Sequence, residues 1–83
     1  MYLHIGRDWM IPYSAIIALF PYEILQTSPE LRHLFHTRRL QGLISGDWQD
    51  PKSIILTDME IYLSAISPLT LLRRAERGGF QFD

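Results

Sequence analysis

A chain of 83 residues makes one domain with one small core, burying a little over ~60% of the surface its unfolded form exposes. Hydrophobic residues at 47% against 20% charged exclude a disordered chain, and the absence of cysteine excludes disulfide staples and thiolate zinc frameworks. A net charge of −1 at pH 7 excludes a global field that draws nucleic acid, so any such binding rests on local basic patches, repeated by assembly if it is to be strong.

The opening MYLHIGRDWM has no basic segment followed by a long apolar one. The uncharged run from Trp9 to Tyr22 is too short and too broken by proline to span a bilayer, so a cytoplasmic protein with no membrane partner is expected. Leu3 and Ile5 alternate with Tyr2 and His4 ahead of Gly6, the period-two pattern of a first strand that ends in a turn. RDWM connects it to Met10–Phe20. There the adjacent Ile16 and Ile17 and the bounding Pro12 and Pro21 favour a second strand over a short helix through Ser14–Phe20.

Ser28 as a cap, Pro29 at the first helical position and Glu30 at the positive end of the dipole predict a helix to about Leu40, stopped by Gly42. Leu31, Leu34 and Phe35 form its apolar stripe, and Arg32, His36 and Arg39 share another face. The glycine- and aspartate-rich stretch GLISGDWQDPKS reads as a long connection, with Leu43, Ile44 and Trp48 available to tack it to the body. Ser53–Thr57 and Glu60–Ala65 read as two strands. In them Ile54 and Leu56 share a face opposite Ile55, and Ile61, Leu63 and Ala65 share a face opposite Tyr62 and Ser64.

Ser67 and Pro68 repeat the cap signal for a second helix, Leu69 to about Arg77, ended by Gly78 and Gly79. Leu69, Leu72 and Ala75 are expected inward, with Arg73, Arg74 and Arg77 crowding the last turn. Phe80 and Phe82 are expected to dock on a groove or on a neighbour. The resulting expectation is a single α+β domain over residues 1–83: a small antiparallel sheet of about four strands with two short helices, in the order β-β-α-β-β-α.

A sheet with one wet face shows clean apolar and polar alternation, and the segments SIIL and AIIAL do not. Two short helices cover one face. A bare second face would leave on the order of several hundred Å² of apolar surface in water, which monomers rarely tolerate. Neighbouring copies are therefore expected to cover it, with Ile16, Ile17, Leu19, Ile55, Tyr62 and Leu63 at the contacts. The alternative is a complete monomer in which the helices and the Leu43–Trp48 loop lie on opposite faces.

Catalysis finds no support in the sequence. His4, His33 and His36 form no ligand pair at i, i+4, the carboxylates are scattered, and neither a phosphate-binding glycine loop nor a serine elbow occurs. No catalytic residue, metal, cofactor or small-molecule substrate is expected. Two basic clusters remain, Arg32, His36, Arg38 and Arg39 on the first helix and Arg73, Arg74 and Arg77 on the second. Cations at helix C-termini complement the macrodipole for ~0.3–1 kcal/mol each, which accounts for them without any ligand. Displayed many times by an assembly, the same arginines make a phosphate-binding surface, to which Lys52 and Arg7 add single cations.

The segments PKSIILT, IYLSAISPLTLLRRA and MYLHIG resemble the small bacterial RemA/RemB extracellular matrix regulatory family, its RemB-like branch in particular, with Gln26–Asp50 matching least. The resemblance implies a LytTR-like α+β unit that closes into a homo-oligomeric ring. For the better known branch it implies binding of double-stranded DNA to control biofilm-matrix genes. In that branch DNA is met by an arginine before the second strand's apolar run and by arginines in the loop before the third strand. The matching places here are Ser14 and Trp48–Lys52, where Lys52 is the lone cation. The DNA-contacting residues expected on this basis and on the basic clusters are Lys52, Arg7, Arg38, Arg39, Arg73 and Arg74. The partners expected are further copies of the chain and double-stranded DNA, and a ring without DNA binding is the alternative.

Overall fold

A computed structural model of the chain describes residues 1–77; the expected helix stop at Gly78 and Gly79 and the docking of Phe80 and Phe82 lie outside the described residues. The strands are β1 (Tyr2–Gly6), β2 (Trp9–Pro12), β3 (Ala18–Pro21), β4 (Ile44–Gly46), β5 (Ser53–Leu56) and β6 (Ile61–Ser64). The helices are α1 (Ile24–Thr27), α2 (Pro29–Leu40) and α3 (Pro68–Arg77). The class is α+β, as expected, but the order β-β-α-β-β-α is not what forms.

The expected strand Met10–Phe20 is broken in two. Pro12 lacks the N–H that would extend the ladder, Tyr13 N–H turns to the Met1 carbonyl (3.0 Å), and Ile16 N–H closes a 3-10 turn on Tyr13 O (3.1 Å). β2 therefore pairs with β1 as an antiparallel hairpin, with Leu3 opposite Ile11, while β3 joins a different sheet. That second sheet has the order β3-β5-β6-β4. It is mixed rather than antiparallel, because Ile44–Gly46, expected to be loop, runs parallel to β6. A short α1, also unexpected, precedes the Ser28 cap.

The helix signals after Ser28 hold. Ser28 Oγ accepts from Leu31 N–H (3.2 Å), Pro29 opens α2, and the helix ends at Leu40. Ser67 Oγ caps α3 by accepting from Thr70 N–H (3.3 Å). The inward stripe of α3 differs from the expectation: Leu71 and Ala75, one full turn apart, are buried, whereas Leu69 is exposed.

Both faces of the four-stranded sheet are covered by the chain itself. On one face Ile54, Ile61 and Leu63 pack with Leu34 and Phe35 of α2, and with Ile24 and Leu25 of α1. On the other, Ile55 packs with Leu3, Ile5 and Ile11 of the hairpin and with Leu71 and Ala75 of α3. The expectation of a sheet face left bare for neighbours is thus corrected, since the hairpin freed by the break at Tyr13 folds over it. Ile55 and Leu63, expected at subunit contacts, are 0% and 1% exposed inside a single copy.

Two buried serines lock the layers together. Ser53 and Ser64 stand opposite each other on β5 and β6. Ser53 Oγ donates to Ile66 O (2.6 Å), while Ser64 Oγ donates to Ile5 O (2.7 Å) and accepts from Ile66 N–H (3.0 Å). Ser64→Ala would leave the Ile5 carbonyl and the Ile66 amide without these partners. It is expected to cost about 1–3 kcal/mol in a urea melt, with the denaturant slope unchanged.

Candidate nucleic-acid interface

Ser64 also links the two segments that carry the isolated cations. Its carbonyl accepts from Lys52 N–H (2.7 Å), and its hydroxyl holds Ile5, two residues before Arg7. Lys52 and Arg7, far apart in sequence, therefore flank one end of the sheet, and both side chains are exposed. Arg7 closes the β1–β2 turn at φ +20°, where His4 Nε2–H donates to its carbonyl (2.7 Å). Among the described residues neither its guanidinium nor the Lys52 ammonium has a side-chain hydrogen bond.

The helical arginines are placed otherwise. Arg38 and Arg39 ride on α2 and Arg73 and Arg74 on α3, and the two helices cover opposite faces of the sheet. One chain does not gather them onto one surface. Several already have work inside the fold. Arg74 donates to His4 O (3.1 Å), Arg38 donates to Gln41 Oε1 (3.1 Å), and the Arg39 guanidinium stands 5.3 Å over the Trp48 ring. Arg73 is exposed and has no such bond among the described residues.

A cleft that the sequence did not announce opens beside Arg7. Its walls are the β1–β2 turn, with Arg7 and Trp9, and the segment after β4, with Trp48 and Gln49; Leu63 contributes from β6 and Ala65 from just beyond it. Trp9 packs edge-on to Tyr62 (5.8 Å), and Trp48 edge-on to Phe35 (6.1 Å). Burial, and after it the Glu60 carboxylate, pushes the Tyr62 phenol above its ordinary pKa, so the ring that braces Trp9 is neutral. The signal available in sequence was two tryptophans beside turn-forming glycine and aspartate, but only the fold brings them to one cleft.

The family model described as RemA-like, extracellular matrix regulatory protein A-like, matches residues 2–75. The chain belongs to the RemA-like family. Among its relatives is extracellular matrix regulatory protein B of Bacillus subtilis (strain 168), 30% identical over 83 residues, a match spanning 100% of this chain and 96% of that protein. The RemB-like character expected from the two ends of the sequence thus stands. Within this RemA-like chain no three histidine, aspartate or glutamate side chains among the described residues come together to hold a metal ion, and no described helix is long and apolar enough to cross a membrane.

The far wall of the cleft depends on Gly46. Its φ is +108°, and a Cβ there would fall 2.2 Å from Leu63 O, in backbone that cannot yield. Gly46→Ala is expected to cost at least about 1 kcal/mol in thermal melts, because both the strained φ and the clash oppose it.

Proposed function

We propose that this RemA-like chain is a non-enzymatic bacterial regulator of the cytoplasm. It closes copies of itself, each a LytTR-like unit, into a ring and contacts double-stranded DNA by its phosphates to control extracellular-matrix genes. The matrix role is carried by the family and by the name of the Bacillus relative. The observation that carries the assembly is an apolar groove of about 480 Å³ between α3 and the edge strand β3, lined by Tyr13, Ile16, Ile17, Leu19, Leu69 and Leu72 among others.

Ile17 is 60% exposed there, and the outer edge of β3 pairs with no strand among the described residues. A second, unlike apolar patch lies on the outer face of the hairpin, where Tyr2 and Met10 are exposed. Two unlike patches suit a head-to-tail contact, which closes into a ring when the rotation allows. Of the contacts expected from sequence, Ile16, Ile17 and Leu19 fit this groove, and Tyr62 sits half-buried beside the hairpin.

The DNA reading rests on Arg7 and Lys52 at one sheet end, repeated by each copy, with Arg73 adding charge on α3. Phosphate contacts of this kind position a duplex without reading its bases. A second reading, a ring that binds protein instead of DNA, is favoured by one observation: the Trp48–Pro51 segment carries Asp50 and no arginine, and three of the helical arginines are engaged within the fold.

Light scattering at micromolar concentration is expected to give a mass several times 9.7 kDa, and Ile17→Asp to return it to a single chain. A wild-type mass of one chain overturns the ring. Duplex affinity is expected to fall steeply between about 50 and about 200 mM salt, and further with Lys52→Glu. No duplex binding at low salt decides for the second reading.

A further inference from the structure

The chain has two tryptophans, and both line the cleft beside Arg7. Trp9 is 42% exposed and Trp48 46%, although large aromatic rings are ordinarily hidden. Each is nonetheless braced from behind, Trp9 by Tyr62 and Trp48 by Phe35 and the Arg39 guanidinium. They are therefore held in place while still open to a ligand. The cleft encloses about 500 Å³, within the ~300–1,000 Å³ of small-ligand sites, and its lining is mixed rather than apolar.

The polar groups are distinct in kind. The Asp47 carboxylate is taken up by the backbone N–H groups of Gln49 (2.9 Å) and Asp50 (3.4 Å), which sets Gln49 on the wall. The Gln49 amide, a donor and an acceptor, has no side-chain partner among the described residues. Arg7 supplies the cation, held on a turn whose φ of +20° is unusual for a residue with a side chain. Lys52 is outside the lining, its backbone N–H bonded to the carbonyl of Ser64, which lies between the lining residues Leu63 and Ala65.

From these groups we infer that the cleft is a clamp for an unpaired nucleobase carrying a phosphate. The tryptophans offer stacking surface, Gln49 a hydrogen-bonding edge for the base, and Arg7 a partner for the phosphate. Any base presents a π-face, so the clamp is tolerant of sequence. Asp8 beside Arg7 weakens the local positive field, so stacking rather than charge carries most of the affinity. This sets the clamp apart from the duplex contacts proposed above, on which it rests only for the choice of a nucleic-acid ligand.

Because the two tryptophans are the chain's only ones, their fluorescence reports on the cleft directly. The full-length protein is titrated with a short oligodeoxythymidylate, with thymidine monophosphate, and with a labelled duplex followed by anisotropy. Quenching by the oligonucleotide, with a salt dependence shallower than that of the duplex, is the expected result. Trp9→Ala should weaken it by roughly 5- to 100-fold, in line with the loss of one stacked base. Gln49→Ala and Arg7→Ala change exposed side chains that pack against nothing in the core, and each should weaken it too, which covers a Trp9 variant that fails to fold. Quenching by the mononucleotide at similar concentration assigns the site to a free nucleotide of the same chemistry. No quenching by either ligand, with duplex binding intact, overturns the clamp and leaves the duplex reading standing; the absence of both overturns both.

Discussion

A buried hydroxyl must find a hydrogen-bond partner, and here that requirement organises the molecule. Ser53 and Ser64 face one another at the end of β5 and β6, fully buried, on the side of the sheet that the hairpin covers. Their partners are not neighbours along the strand but the Ile5 carbonyl of β1 and the backbone of Ile66 on the way to α3. Satisfying two serines thus fixes where the hairpin lands and where the last helix begins. Apolar contacts between Ile55, Ile5 and Leu71 supply area, which is non-directional; the serines supply register.

One copy also hides more of its β-surface than its sequence suggests. The run SIIL is apolar on both faces because both faces are covered: Ile54 meets α2, and Ile55 meets the hairpin and α3. Such strands need cover on two sides, and of the two sources expected, neighbouring copies or the chain itself, the chain supplies both: Met10–Phe20 breaks at Tyr13, and the freed hairpin joins the helices as a further covering element. What remains open to a neighbour is narrower, the groove along β3 and the outer face of the hairpin, and the case for assembly moves from a whole sheet face to an edge.

Legibility followed the range of the interactions concerned. α2 was readable because Ser28, Pro29 and Glu30 act within one turn, and β5 and β6 because two short β-branched and aliphatic runs flank the turn at residues 57–59. β4 was not readable. Three residues acquire strand character only from parallel pairing with β6, and only a glycine at position 46 allows the two backbones so close. On α3 the expected Ala75 is buried and Leu72 half-buried, but Leu71 takes the inward place expected of Leu69, since the two are equally apolar and only the packing decides between them. For the candidate site, each residue type was visible but the groupings were not: Arg7 meets the Lys52 backbone only through Ser64, and Trp9 meets the Trp48 cleft only through the hairpin's fold onto β6.

Electrostatics then limits what a single copy can do with a phosphate backbone. With α2 and α3 on opposite faces, a duplex laid across the end of the sheet reaches Arg7 and Lys52, while the arginines of at least one helix point away from it. Two contacts correspond to a salt slope of only about −2 on a logarithmic scale, and an overall charge of −1 adds no attraction at a distance. In the proposed ring each further copy would add its own pair of cations, so the number of phosphates neutralised would grow with assembly rather than with the basicity of the chain. On that proposal the strength of a duplex contact would be set at the β3 edge and its groove before it is set by the cations.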